Sequence, residues 1–255
     1  MKRQTLNKIF AALTLCTAST LACAAEPVTL TSLDWPPYTG EDLPDQGASV
    51  AVAKAAFAAA GYTLKVEFYP WQRAVALAKD SSKHDGYFPE YYADELKQDF
   101  ILSEPMGSGP LGFAELKAKP VTWHTLDDLK STKIGVVRGY VNTSEFDARM
   151  HSGKLKTDAT GDDLKNLQKL LGGRISLAVI DKNVLTHLMS TTPELKGASD
   201  KIQFNATLLE DKSLYVCFKK GARGQKLAQA LNEGMLDILP SLKQGDSYWF
   251  TPLLA

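Results

Sequence analysis

From Val28 to Phe88 the chain alternates short β-branched runs with alanine-rich amphipathic ones, and this alternation limits the fold more than any other feature. Val28-Thr-Leu-Thr-Ser-Leu33 reads as a half-buried strand. Pro36 and Pro37 end it and hold two large aromatics, Trp35 and Tyr38, in a stiff extended loop that looks like the edge of a cleft. Residues 47–61 place Val50, Ala53, Phe57 and Ala60 on one helical face, with Gly61 as the C-terminal cap. Leu64-Lys-Val-Glu-Phe-Tyr69 alternates again, and Pro70 opens a second helix over 71–79 in the first-turn position that tolerates proline. Asp85-Gly-Tyr-Phe88 is a short buried strand. Strand, helix, strand, helix, strand implies a parallel sheet wound by right-handed crossovers.

Beyond Phe100-Ile-Leu-Ser-Glu-Pro105, the Gly- and Pro-rich Gly107-Ser-Gly-Pro110 marks a hinge before a predicted strand over 111–116, and residues 117–121 read as surface connection. The pattern then restarts. Thr125–Leu129 predicts a short capped helix, Lys133-Ile-Gly-Val-Val137 a buried strand, and Thr143 the start of another helix. Residues 162–171 predict an amphipathic helix with Leu164, Leu167, Leu170 and Leu171 on one face, ended by Gly172-Gly173. Strands are predicted over 175–180 and 213–218, and a last helix over 224–238. Two units of similar grammar thus join near residues 110 and 213, without a sequence repeat.

Lys2, Arg3 and Lys8 precede an apolar run ending in Ala22-Cys23-Ala24-Ala25, the pattern of a cleaved secretory signal covering residues 1–25. Export to the periplasm is expected, and lipid attachment at Cys23 is the less favoured alternative because Thr20 stands where such sites want leucine. Losing those three basic residues from a chain of 29 basic and 29 acidic residues leaves 26 against 29, a mildly acidic surface with no footprint of nucleic-acid binding. Cys217 is then the one cysteine left, which excludes a structural disulfide and reads as a buried small hydrophobe in a strand.

Four segments in order carry a family likeness: Asp34-Trp-Pro-Pro-Tyr38 followed by Gly47, Phe100–Pro105, Asp128-Leu-Lys with residues 133–139, and residues 173–181. Over most of its length the chain resembles the family 3 periplasmic solute-binding proteins, the polar-amino-acid type that feeds ABC importers and recurs in sensor domains. The resemblance implies an α/β, two-lobed type II periplasmic-binding-protein fold: a mostly parallel sheet wrapped by helices in each lobe, two hinge crossings, and closure on a small ligand. Lobe 1 would comprise residues 26–112 and 217–255, and lobe 2 residues 113–216.

The resemblance implies that Asp181, at a strand end, receives a ligand ammonium group. The same carboxylate could instead cap a helix starting at Asn183. Gly139, Tyr140 and Asn142 lie between a strand and a helix, where backbone N–H groups favour an anion, and Tyr140 stands where the family more often has a small hydroxyl residue. Arg138 is either a second anion partner or a solvated strand-end charge. The main departure is Leu96, which occupies the place of the arginine that grips an α-carboxylate in amino-acid binders; Lys97 beside it is no equal substitute. Arg73 offers a replacement or sits on an exposed helical face. Glu90 could accept a hydrogen bond from a ligand or pair with Arg73. Trp35, Tyr38, Trp71, Phe88 and Tyr91 give the rim a density of aromatics suited to stacking an apolar, aromatic or sugar-like ligand.

His84, His124, His151 and His187 are scattered, and neither a metal site, a nucleophile elbow nor a phosphate-cradling loop is present. No cofactor is expected, and no fused catalytic or sensor domain in a chain ending at Ala255. The expected function is a monomeric, non-enzymatic solute-binding protein for a small polar or amino-acid-like ligand, partnered by an ABC permease. The alternatives are a ligand sensor presenting itself to a membrane receptor, and a small dehydratase-like enzyme with Glu90 or Asp181 as general acid.

Overall fold

The computed structural model describes residues 25–242; the expected signal segment, apart from Ala25, and the tail after Leu242 lie outside the described residues. Strand β1 (Glu26–Ser32) pairs in parallel with β2 (Tyr62–Phe68) on one side and β3 (Gly86–Tyr91) on the other. The crossover helices α1 (Ala48–Ala59) and α2 (Trp71–Asp80) fall within a few residues of their sequence expectations. Val50, Val52, Ala53, Ala56 and Phe57 of α1 are buried, which removes its apolar face from water.

The sheet continues from β3 through two long antiparallel strands, β10 (Glu210–Lys219) and β5 (Gly107–Leu116), into a second parallel set. There β8 (Leu177–Asp181) pairs with β5, β6 (Lys133–Val137) with β8, and β7 (Lys156–Thr160) with β6. Short strands β4 (Phe100–Leu102) and β9 (Ile202–Phe204) pair with β10 and β5. The first lobe carries β1–β4 with α1, α2 and the C-terminal helix α6 (Ala222–Leu242); the second carries β6–β9 with α3 (Ser144–His151), α4 (Asp163–Leu171) and α5 (Lys182–Thr191). Strands β5 and β10 belong to both lobes and are the two crossings.

Gly107-Ser-Gly-Pro110, read from composition as a hinge, is the first part of β5, paired with residues 211–214 of β10. Pro89 is tolerated inside β3 because it sits in a bulge of that strand, where Phe88 and Pro89 together oppose the single Val216 of β10. Strand β7 had no sequence signature: Lys-Thr-Asp-Ala-Thr is an exposed polar edge, the composition that discourages pairing with another chain.

Phe57, Phe218, Val28 and Leu30 centre the core of the first lobe, and Phe113, Phe146, Ile134 and Leu167 that of the second. Residues 117–121 are pinned by Glu115, whose buried carboxylate accepts from Val121 N, Gln203 Nε2 and Asn205 Nδ2, each at 2.8 Å. Cys217 is buried and free. No helix among the described residues is long and apolar enough to cross a membrane.

Candidate functional site

The segment after β1 is a tight turn rather than the extended loop expected from its prolines. Trp35 O accepts from both Tyr38 N and Thr39 N, at 3.1 and 3.2 Å, and Trp35 N donates back to Thr39 O at 2.8 Å. The turn stacks the two rings, Trp35 on Tyr38, with centroids 4.7 Å apart. Tyr91, at the end of β3, meets Trp35 edge-on at 5.9 Å. These three rings form one wall of the cleft between the lobes.

The opposite wall is carboxylate. Asp181 ends β8 and caps α5, its Oδ1 accepting from Asn183 N at 2.7 Å and Val184 N at 3.1 Å. Tyr38 reaches across and donates its hydroxyl to the same carboxylate at 3.1–3.2 Å, while Asn183 Nδ2 donates to that hydroxyl at 2.7 Å. Tyr91 adds a longer contact at 3.4 Å. Gly109 of β5 makes this approach possible, since a Cβ there would lie 2.0 Å from Asp181 Oδ2 and 2.3 Å from the Tyr38 hydroxyl. A second bridge runs from Trp71 Nε1, which donates to Gly139 O at 2.9 Å. The lobes therefore meet directly.

Between the bridges lies a cavity of about 20 Å³, lined among others by Trp35, Trp71, Tyr91, Tyr140 and Glu90. It has room for about one water. Trp71 meets Tyr140 edge-on at 5.7 Å and Tyr87 at 5.4 Å, so the aromatic lining is braced from behind. Toward solvent the cleft widens into a hollow of about 760 Å³, whose walls include Leu96, Arg138, Asp147 and Lys212.

Three buried carboxyls surround this contact. Glu90 accepts from Tyr87 hydroxyl at 3.1 Å and from Tyr91 N at 2.9 Å, but burial dominates and pushes it up to about 8. Asp163, at the first turn of α4, is raised by burial to about 7, and the nearby Asp181 charge adds to the shift. Asp181 itself is raised to about 6 by burial, opposed by its backbone caps and the two tyrosines. Trp35 Nε1 is buried without a hydrogen bond of normal geometry, although it lies near enough to Asp163 to favour the ionised form.

The structure brings Trp35, Tyr38, Trp71, Glu90, Tyr91, Gly139, Tyr140 and Asp181 together at the interlobe contact. Phe88 is fully buried, and its neighbour Pro89 lines the cavity. Arg73 is not brought there: its guanidinium lies 5.0 Å over the Tyr69 ring on an exposed face, and Glu90 takes its hydrogen bonds from tyrosines and backbone instead. Arg138 is exposed on the outer hollow. Asn142 spends its N–H and its Nδ2 on Asp147, at 2.8 and 2.7 Å, so the chain's own carboxylate occupies those two donors of the anion-favouring loop.

Asp163, Asn183, Asp147 and Lys212 escaped the sequence reading. Asp163 looked like the second acid of a helix start, where an exposed charge is ordinary; only the fold turns it inward. Lys212 lies just before the strand predicted from residue 213, yet β10 begins at Glu210 and carries it inside, its ammonium 5.6 Å over the Tyr91 ring.

No protein-family profile matches the chain, and comparison with curated proteins finds no match. Solved structures do match across nearly all of the described residues. A histidine kinase sensor domain with similarity to periplasmic binding proteins superposes with a TM-score of 0.73 at 16% identity, covering 86% of this chain and 93% of its own. An ancestral arginine-binding protein bound to glutamine gives 0.70 at 18% identity, covering 88% and 97%. An amino acid ABC transporter substrate-binding protein from Streptococcus pneumoniae, bound to L-arginine, gives 0.68 at 18% identity, covering 85% and 90%. The fold is that of the two-lobed type II periplasmic binding proteins. In this binding-protein fold the Trp35, Glu90 and Asp181 positions lie between the lobes, at the carboxyl ends of strands, where open parallel sheets present their ligand sites.

Proposed function

We propose that the protein is a periplasmic solute-binding protein that captures a small polar solute between its lobes by hinge closure and delivers it to an ABC importer. One observation carries this reading: polar and aromatic side chains from both lobes converge on the interlobe contact, and among the described residues the chain crosses between the lobes in two strands, β5 and β10. Hinging takes place within those strands, which divide the chain near residues 112 and 217. Contacts made only when the lobes close are what let a solute shift the population toward the closed form. The protein performs no chemistry on the solute.

The 0.73 superposition on a kinase sensor domain supports a second reading, in which the closed form is presented to a membrane receptor. Both readings share the capture step.

A thermal-shift screen of the purified protein against amino acids, amines, organic acids and oligosaccharides tests it. A specific solute at 100 times its dissociation constant adds about 2.7 kcal/mol of stability and is recovered unchanged. Absence of any shift over the panel removes the solute-binding reading. Turnover of a solute removes the non-enzymatic one. Co-purification with permease components, as opposed to a receptor, separates importer from sensor.

A further inference from the structure

The chemistry of the interlobe contact is one-sided. Glu90, Asp163 and Asp181 are each at most 5% exposed, and Asp147 stands behind Asn142 on the outer hollow. Among the described residues the only buried lysine or arginine is Lys212, and its ammonium pairs with Glu210 at 3.4 Å. The cavity itself is lined by Trp35, Trp71, Tyr91, Tyr140 and Glu90 among apolar neighbours, and no basic side chain lines it. Four aromatic residues beside a buried acid suit a cation, which aromatic rings and carboxylates both attract.

What a ligand carboxylate would need is missing from the same place. Arg73 lies on an exposed face, Arg138 and Lys212 line only the outer hollow, where Lys212 is paired with Glu210, Leu96 contributes an apolar surface there, and Asn142 N and Nδ2 are spent on Asp147. A carboxylate brought into this cleft would lose its water and face carboxyls instead.

Resting on the solute-binding reading, we infer that the solute is an organic amine cation bearing no carboxylate, its ammonium group held among Trp35, Trp71, Tyr91 and Tyr140 against Glu90, with Asp163 beside Trp35 and Tyr140. Opening of the lobes admits it, and its charge replaces the protons that burial places on the two acids. The groups facing Glu90 are Tyr87, Tyr140, Asp147, Lys212 and Cys217; those facing Asp163 are Tyr91, Tyr140, Asp162 and Asp181. Lys212 is the one cation among them, and it already favours ionised Glu90. Binding therefore releases protons, and affinity rises as pH is raised from 6 to 8.

Matched pairs that differ by the carboxylate test the inference by calorimetry and thermal shift on the purified protein: putrescine with ornithine, agmatine with arginine, phenethylamine with phenylalanine, and choline with betaine. At least one amine is expected to bind, at least tenfold tighter than its partner, with proton release seen as a heat that varies with buffer ionisation enthalpy. Glu90→Gln and Asp163→Asn keep the circular dichroism of the wild type, weaken that amine at least tenfold and abolish the proton release. If a carboxylate-bearing partner binds as tightly or more tightly, or if only sugars or organic acids bind, the inference falls while solute binding stands. If an amine binds but neither variant weakens it, the site assignment is wrong. If nothing binds across both panels, both readings fall.

Discussion

At the scale of single residues, Glu90 concentrates the tension in this molecule. Its folded pKa is raised from 4.5 to about 8, so the protonated folded state holds its full stability below about 4.5 and loses it as pH climbs toward 8. The loss is at most about 1.4 kcal/mol per pH unit for one such group. Glu90→Gln keeps the acceptor for Tyr87 and removes the titration. Its stability relative to wild type, read from urea midpoints, should therefore be similar at pH 4.5 and grow steadily to pH 8. A difference that is flat with pH would show that Glu90 is ionised without cost. Asp163 and Asp181, at about 7 and 6, add shallower losses of the same sign. Trp35 is the second decisive residue: truncation to Ala removes a ring only 7% exposed and opens the cavity, costing about 3 kcal/mol of stability along with most solute affinity. Trp35 and Tyr38 were visible in the sequence because two prolines beside two aromatics at a strand end are unusual. Asp163 was invisible because an acid in the first turn of a helix is what any helix favours, and no local rule says which way it faces.

At the scale of elements, legibility followed the source of each signal. Helices α1, α2 and α4 and strands β1, β2 and β6 bury one face or two, and their apolar periodicity gave them away. Strands β4, β7 and β9 are held by neighbours in the sheet rather than by their own pattern, and the first part of β5, residues 107–110, hid behind its glycines. Two glycines of β5, Gly109 and Gly112, are there for proximity. Gly109→Ala would drive a methyl group into Asp181 and Tyr38, so the hydroxyl–carboxylate bridge must break while β5 keeps its pairing with β10. The expected result is a folded protein with native far-ultraviolet circular dichroism and at least tenfold weaker solute binding. Unchanged affinity would show that the bridge is dispensable for closure. Asp181→Ala acts on two elements at once, removing the α5 cap and the acceptor for Tyr38, with an expected destabilisation of about 1–2 kcal/mol from the cap alone.

At the scale of the whole molecule, the two lobes share strands β5 and β10 and touch across the cleft through polar contacts and the edge-on Trp71–Tyr140 pair. Trp71 contributes one polar contact that can be removed cleanly. Trp71→Phe keeps an aromatic wall against Tyr87 and Tyr140 but deletes the N–H that bonds Gly139 O across the cleft. A neutral hydrogen bond contributes about 0.5–1.5 kcal/mol net, so its loss shifts the closed-to-open ratio by about two- to tenfold toward open. Raising the pH from 5 to 8 works in the same direction, because Glu90, Asp163 and Asp181 ionise more readily where water reaches them than in the closed contact. Small-angle scattering should therefore report a larger radius of gyration for the variant than for the wild type at each pH, and for both proteins at pH 8 than at pH 5. A saturating amine cation, the solute class inferred above, should collapse all four to the closed value, because its charge meets the acids that the pH change exposes. A radius that ignores both the substitution and the pH would mean that apolar packing between the lobes, and not this set of polar contacts, sets the closed state.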